Sequence, residues 1–221
     1  MKTRGRVNPT SPRLIVCEGK ADQQFFQQLI KVRGLVDVEA ASPDVCGGGV
    51  SHFGAFLKAL ELSEGFLQGI VKLVIVVADN DRAKSFNAVC REIRLAGYNA
   101  PTHPKVIVQT MGKPAITVLM VPDASPGCLE TLCVEAAYRK WPTLRDPLEE
   151  YLTHTVVPTW YATKQDKTRI ECLLASTSKP RPQVALHDHW QQDVQYHIPV
   201  DDAAFDPVLN FIISPAVSGF V

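Results

Sequence analysis

The 221-residue sequence lacks a charge of either sign in excess, since 23 Lys and Arg oppose 23 Asp and Glu. That balance excludes a uniformly basic protein that coats nucleic acid without selectivity. A basic face beside an acidic site would cancel in the sum, so the total leaves the partner open. There is no Cys-x-x-Cys pair: Cys17, Cys46, Cys90, Cys128, Cys133 and Cys172 are scattered, and they read as reduced, mostly buried thiols of a cytoplasmic protein. No stretch approaches the ~18 uninterrupted apolar residues of a spanning helix, so no membrane partner is expected. The opening MKTRGRVNPTSPR is basic and polar without an apolar centre, which is neither a signal peptide nor an anchor. Internal repeats and low-complexity tracts are absent. With 46% hydrophobic and 21% charged residues, the chain has the composition of an ordinary globular protein, which excludes disorder on a large scale.

What the chain does have is alternation between strand and helix signals. Leu14 to Cys17 is short and apolar between Pro12 and Gly19, as in a strand covered on both faces. Phe25, Phe26, Leu29, Ile30 and Val32 then recur at helical steps from Ala21, and Gly34 ends the run. Val36 to Ala40 alternates apolar and acidic residues and predicts a strand nearer an edge. After a loop over Pro43 to Gly49, Phe53, Phe56, Leu57, Leu60, Phe66 and Leu67 mark a second helix, broken near Gly65. Leu73 to Val77 is the strongest strand, a β-branched run ending in Ala78-Asp79-Asn80-Asp81. Phe86, Val89, Cys90 and Ile93 predict a third helix, and Ile116 to Val121 a fourth strand. Parallel neighbours need long crossovers, so the pattern predicts an α/β fold with a parallel four-stranded sheet flanked by helices. A helix from about Gly127 to Lys140, a Pro-rich connection, a helix from about Lys164 to Ser176 and a loop-rich tail follow.

Ligands of such sheets bind at the carboxyl ends of the strands, where Glu18, Asp79 and Asp81 fall. Two carboxylates one residue apart where a strand turns outward suit a hard divalent cation. Each acid has a plain structural explanation as well, in turns, in helix caps or in the first turn of a helix, where Asp22 lies. Their arrival together, from two strands, at the one edge where this architecture places chemistry favours a site. Other motifs carry less. Gly47-Gly48-Gly49 lacks the Gly-Lys-Ser/Thr of a phosphate loop, Gly112-Lys113-Pro114 opens a strand, His187-Asp188-His189-Trp190 has no third ligand at helical spacing, and no Ser/His/Asp arrangement presents itself.

Glu18-Gly19 closing the first strand, with Asp79-x-Asp81 closing the third, resembles the Toprim domain shared by topoisomerases, bacterial primases, small ribonucleases and the overcoming-lysogenization-defect nucleases. The resemblance spans about Leu14 to Glu135 and is strongest to the nuclease branch, whose further acid four residues after the glutamate is matched by Asp22. Pro126-Gly127-Cys128-Leu129-Glu130-Thr131-Leu132 is similar to the segment carrying that branch's later glutamate, here Glu130. Asp166-Lys167-Thr168-Arg169 is similar to the segment carrying its lysine, with Lys164 as a rival to Lys167. The whole chain also resembles a stand-alone Toprim family of undefined function. Unlike in primases and topoisomerases, no glycine follows closely after Asp81, and neither primer synthesis nor strand passage is expected.

The resemblance implies a flexible arm over residues 1–13, a Toprim-like catalytic core over 14–135 and a C-terminal extension packed on it over 136–221. It implies a metal-dependent nuclease that cleaves DNA or RNA with Mg2+ or Mn2+, two ions in all. Asp79 and Asp81 would hold one ion with Glu18, Asp22 with Glu130 would support the second, and Lys167 would stabilise the transition state. Glu18 serving as general acid or base is the alternative role. Lys164, Arg169, Lys179 and Arg181, with Lys2, Arg4, Arg6 and Arg13, are expected to form a phosphate-binding rim or simply a solvated face. The alternative function is a non-catalytic Toprim module that binds nucleic acid, a nucleotide or a protein partner. A protein partner or homo-oligomer is compatible with either reading.

Overall fold

A computed structural model describes residues 7–43, 48–178, 183–190 and 197–220 of the chain. Four strands, β1 (Arg13–Val16), β2 (Val38–Ala41), β3 (Leu73–Asp79) and β4 (Ala115–Val121), form one parallel sheet in the order β2-β1-β3-β4. The crossovers run through α1 (Lys20–Val32), through α2 (Phe53–Glu61) with the short α3 (Glu64–Leu67), and through α4 (Ser85–Leu95). After the sheet come α5 (Leu129–Lys140), α6 (Arg145–Thr153), α7 (Ala162–Thr177), α8 (Leu186–His189), α9 (Asp206–Ile212) and α10 (Pro215–Ser218). This is the α/β architecture expected from the alternation of signals. No described helix is long and apolar enough to cross a membrane.

The period-2 geometry of the strands divides the core into two layers. Leu14, Val16, Val74, Val76, Ala78, Ile116 and Val118 pack with Phe53, Phe56 and Leu57 of α2 and Val89 and Ile93 of α4. Ile15, Cys17, Leu73, Ile75 and Val77 face the other way, onto Phe25, Phe26 and Leu29 of α1 and the helices after the sheet. The described part of residues 136–221 packs on this layer: Ile170, Leu173, Leu174, Phe205 and Ile212 lie in the same cluster as Phe25. Phe25 is the hub, with Phe26, Phe205 and Trp190 at ring-centroid distances of 5.1, 4.8 and 5.6 Å. Each such fully buried ring contributes about 1.5–3 kcal/mol relative to an exposed one.

The second strand begins two residues later than its apolar pattern predicts. Asp37 adopts a left-handed backbone at φ 58° and Val36 is 71% exposed, so pairing starts only at Val38. β2 is an edge strand, as its mixed pattern predicts. The second helix breaks at Leu62-Ser63, before Gly65. The Pro-rich connection contains α6, and the tail contains α9 and α10; Pro147 and Pro207 sit in first turns, where the missing amide hydrogen has no helical partner to lose. Residues 7–13, the described part of the arm, are tied down. Glu39 Oε1 accepts from the amides of Thr10 and Ser11 at 2.6 and 3.1 Å, and a side chain at Gly65 would meet the Pro9 carbonyl oxygen at 1.9 Å.

The expected basic rim does not form among the described residues. Arg13 is 7% exposed and donates to the carbonyls of Ile212 and Val36 at 3.3 and 2.8 Å. Arg169 is held by Glu149 and Asp166. Lys2, Arg4, Arg6, Lys179 and Arg181 lie outside the described residues, as do Cys46 and Gly47. Cys17, Cys90, Cys128 and Cys133 are buried thiols.

Candidate functional site

Strand parity explains where Asp79 goes. It continues the series Leu73, Ile75, Val77, which faces α1 and the later helices, and so it leaves the sheet toward α1 and α5. Its Oδ1 accepts the amide of Leu129, the first residue of α5, at 3.2 Å, where free helical amides and the helix dipole favour negative charge. Its own amide donates to Glu18 Oε1 at 2.9 Å, which fastens the end of β1 to the end of β3. Asp22 Oδ2 accepts the Gly19 amide at 3.2 Å, closing the entrance of α1. A cavity of about 10 Å³, room for about one water, lies between Glu18, Asp22, Asp79 and Leu129.

Glu130, in the first turn of α5, and Lys167, on α7, complete the group. Lys167 Nζ lies 3.9 Å from Asp79 Oδ2 and 4.0 Å from Glu130 Oε1. Lys164 is directed elsewhere, with its ammonium 3.8 Å from the centre of the Trp160 ring. The loop between β4 and α5 is clamped to the same strand end. Asn80 Nδ2 donates to the carbonyls of Pro122 and Ser125 at 3.2 and 3.0 Å, and Gly127 N donates to the Asn80 carbonyl at 3.0 Å. A side chain at Gly127 would meet Thr131 Oγ1 at 2.8 Å and the Pro122 ring at 2.9 Å, so glycine is required by close approach.

Asp81 has partners of its own, although its charge still acts on Glu18. Its Oδ1 accepts from Ser85 Oγ at 2.8 Å and its Oδ2 lies 3.4 Å from Arg82 Nε, so it serves the entrance of α4. The turn at Asn80 gives the two aspartates different hydrogen-bond partners.

The electrostatics show a surplus of negative charge. Burial, then Glu130 and Glu18, push the Asp22 carboxyl up to about 7. Burial, then Asp22, Glu18 and Glu130, push Asp79 up to about 9 against the opposing effect of Lys167. Glu18 is also raised, chiefly by burial. Burial pulls the Lys167 ammonium down, but the neighbouring acids outweigh it and the net shift is upward. One lysine against four carboxyl groups leaves an arrangement that a cation would relieve.

The donor set fits a hard divalent ion. Asp79, Cys128 and Glu130 each offer an atom within 4.8 Å of the others. The thiol is the misfit in that trio: burial, then Glu130 and Asp79, push its pKa far up, and its Sγ faces the Thr163 carbonyl at 3.9 Å. A protonated thiol is no ligand, and thiolate suits softer metals than carboxylate oxygens do. Asp79 and Glu130 are the two oxygen donors of that trio, with Glu18 and Asp22 beside Asp79.

Sequence reasoning missed Thr131, Asp166 and Glu149, which hold α5 and α7 together. Thr131 Oγ1 donates to Asp166 Oδ2 at 2.7 Å and accepts the Cys128 amide at 3.1 Å. Arg169 bridges Asp166 at 3.1 Å to Glu149 at 2.8 Å, and Tyr138 donates to Glu149 at 2.6 Å. Thr131 accepts the Cys128 amide at the entrance of α5, but Cys-Leu-Glu-Thr lacks the Ser/Thr-x-x-Glu/Gln signature of a capping box, and its partner Asp166 lies 35 residues away.

No match was found among curated protein sequences. A solved structure described as the C-terminal region of the Xanthomonas campestris pv. campestris OLD protein is similar at 16% identity, with 94% of each chain covered and a TM-score of 0.42. The family model that matches spans residues 12–198, from β1 past α8 and across every residue of the acidic group. The chain belongs to the family described as protein of unknown function (DUF3226).

Proposed function

We propose that the chain is a divalent-metal-dependent phosphodiesterase that cleaves nucleic acid at the carboxyl edge of its sheet. The observation that carries this reading is the convergence of Glu18, Asp22, Asp79 and Glu130 around Lys167, with Asp22 and Asp79 pushed up to about 7 and 9. Such a cluster is poorly satisfied by its own protein and well suited to Mg2+ or Mn2+. Asp79 and Glu130 would hold one ion, and Glu18 with Asp22 would support a second. When bound, two such ions neutralise charge on the phosphate and lower the pKa of the attacking water.

The residues of the chain supply the rest. Lys167 places a positive charge beside the Asp79 and Glu130 carboxylates, where negative charge grows on a pentavalent phosphate. Glu18 accepts the Asp79 amide through Oε1; as the alternative to supporting an ion, its Oε2 would take a proton from water or return one to the leaving oxygen. Asp81, whose charge already acts on Glu18, would lend a further carboxylate to the ion site. Fixing these groups on β1, β3, α1, α5 and α7 holds the geometry on rigid elements.

The test is cleavage of labelled single-stranded DNA, duplex DNA and RNA with Mg2+, with Mn2+ and with EDTA. Cleavage is expected with either metal and none with EDTA. Asp79→Ala and Glu18→Ala should each abolish it while leaving the circular dichroism spectrum unchanged. Cleavage that survives both substitutions removes the reading, and metal binding without turnover on any substrate replaces it with a non-catalytic module.

A further inference from the structure

Beside the acidic group lies a second cavity that the reading above does not use. It measures about 160 Å³ and shares Glu130 and Lys167 with the acids. Its other walls are Ile170 and Leu174 of α7 and Val184 and Leu186 of the segment that leads into α8. Ile170 and Leu174 are 1% exposed, and Val184 and Leu186 pack on the same core cluster, so the wall is part of the fold. One end of the cavity is thus cationic and acidic, the other aliphatic.

We propose that this cavity receives the base of one unpaired nucleotide whose phosphate lies at the Lys167 end, so that the substrate is single-stranded nucleic acid or a frayed end. Size comes first. Pockets that enclose a whole small ligand measure about 300–1,000 Å³, so about 160 Å³ accommodates one ring system and leaves sugar and phosphate outside. Chemistry agrees, because a nucleobase has two apolar faces and a polar edge. Ile170, Leu174, Val184 and Leu186 suit the faces, and Glu171 on the same lining offers an acceptor to an exocyclic amino group. Continuity supplies the direction. Lys167 stands on the lining of the cavity and within 4.0 Å of Asp79 and Glu130, so a strand with its phosphate on Lys167 and the metal site has its neighbouring base at the aliphatic end. A base inside a duplex reaches such a cavity only by unstacking, at a cost of about a few kcal/mol. No aromatic side chain lines the cavity among the described residues, which limits recognition to one base and distinguishes it from the stacking platforms of strand-coating proteins.

The proposal rests on the phosphodiesterase reading for what happens to the phosphate, but the docking of the base is measured without turnover. Fluorescence anisotropy of the full chain with Mg2+ compares a short single strand, its blunt duplex and the same strand made abasic throughout. Intact single strand is expected to bind about tenfold tighter than either of the others. Ala185 is exposed and lines the cavity, so Ala185→Leu fills it without disturbing the core. That variant should bring the intact strand down to the abasic level and leave abasic binding unchanged. It should cleave the abasic strand, which has no ring to dock, at the wild-type rate. Equal binding of intact and abasic strands, preference for duplex, or an Ala185→Leu variant that binds like wild type overturns the proposal. If Ala185→Leu does not fold, Val184→Ser gives the same reading by making the wall polar. A wild-type chain that cleaves neither strand defeats the phosphodiesterase reading, while the binding ratios still decide the base cavity.

Discussion

The two ends of the sheet treat charge in opposite ways. At the amino end of β4, Lys113 Nζ meets Glu61 Oε1 at 2.6 Å, donates to the Ala96 carbonyl at 2.8 Å and lies 4.4 Å from the centre of the Tyr98 ring. One cation there has one anion and several supporting contacts. At the carboxyl end of β1 and β3, Glu18, Asp22, Asp79 and Glu130 share Lys167, which approaches two of them only to 3.9 and 4.0 Å. The first arrangement is a satisfied surface pair. In the second, burial and then the neighbouring acids push two aspartates up to about 7 and 9. Unrelieved like charge at a fixed point of the fold is the mark of a site that expects a ligand.

Breaking the crowded end should have the larger consequences. Lys167→Ala should lower kcat about 10²–10³-fold in the metal-dependent cleavage assay, while Lys164→Ala leaves kcat unchanged. Thr131→Val should cost about tenfold in kcat through the lost link to Asp166. Thr131→Ser should restore most of that rate, an outcome that distinguishes positioning from general destabilisation.

Stability gives a third contrast. The carboxyls of Asp22 and Asp79 are raised to about 7 and 9, above an unfolded value near 3.9, so the folded chain binds more protons than the unfolded one across that window. The stability they contribute is complete below about pH 4 and is lost as pH rises through 7 toward 9. In EDTA, Asp79→Asn should therefore melt higher than wild type at pH 8.5, by about 2–4 °C for each kcal/mol gained, and the difference should shrink at pH 5.5. Mg2+ should raise the melting temperature of wild type at pH 8.5 and not that of the variant. An unchanged or lower melting temperature for Asp79→Asn in EDTA at pH 8.5 contradicts the crowding argument. At the satisfied end the effect is smallest. Lys113→Met should cost about 1 kcal/mol in thermal or urea unfolding and leave cleavage untouched.

Much of this was legible before any coordinates. The β-branched run Leu73 to Val77 could be little other than a central strand, and the acid at its end had to lie on the edge where parallel sheets bind ligands. Glu18 and Asp79 follow as candidates from that logic, while Asp22, Glu130 and Lys167 come from the resemblance to the nuclease branch. The partners of Asp81 do not follow, because the path of a turn depends on what the turn packs against, here Ser85 and Arg82. Nor does the fate of the arginines: Arg13 looks like a surface charge in a basic leader, yet it sits at the start of β1 and donates to two carbonyls.

The sequence by itself determined the elements and the order of the chemistry along them, since apolar periodicity and helix punctuation are local properties read over a few residues. It also put Asp79 in step with Leu73, Ile75 and Val77, on one face of the sheet; that α1 and α5 cover that face is tertiary. Only the tertiary structure decided which groups meet. The rotation of α7 brings Lys167 rather than Lys164 to the acids, the link from Thr131 to Asp166 fixes that rotation, and the packing of residues 184–186 against α7 makes the neighbouring cavity. These are contacts between residues far apart in the chain, set by how whole helices pack on one core, and no local pattern encodes them.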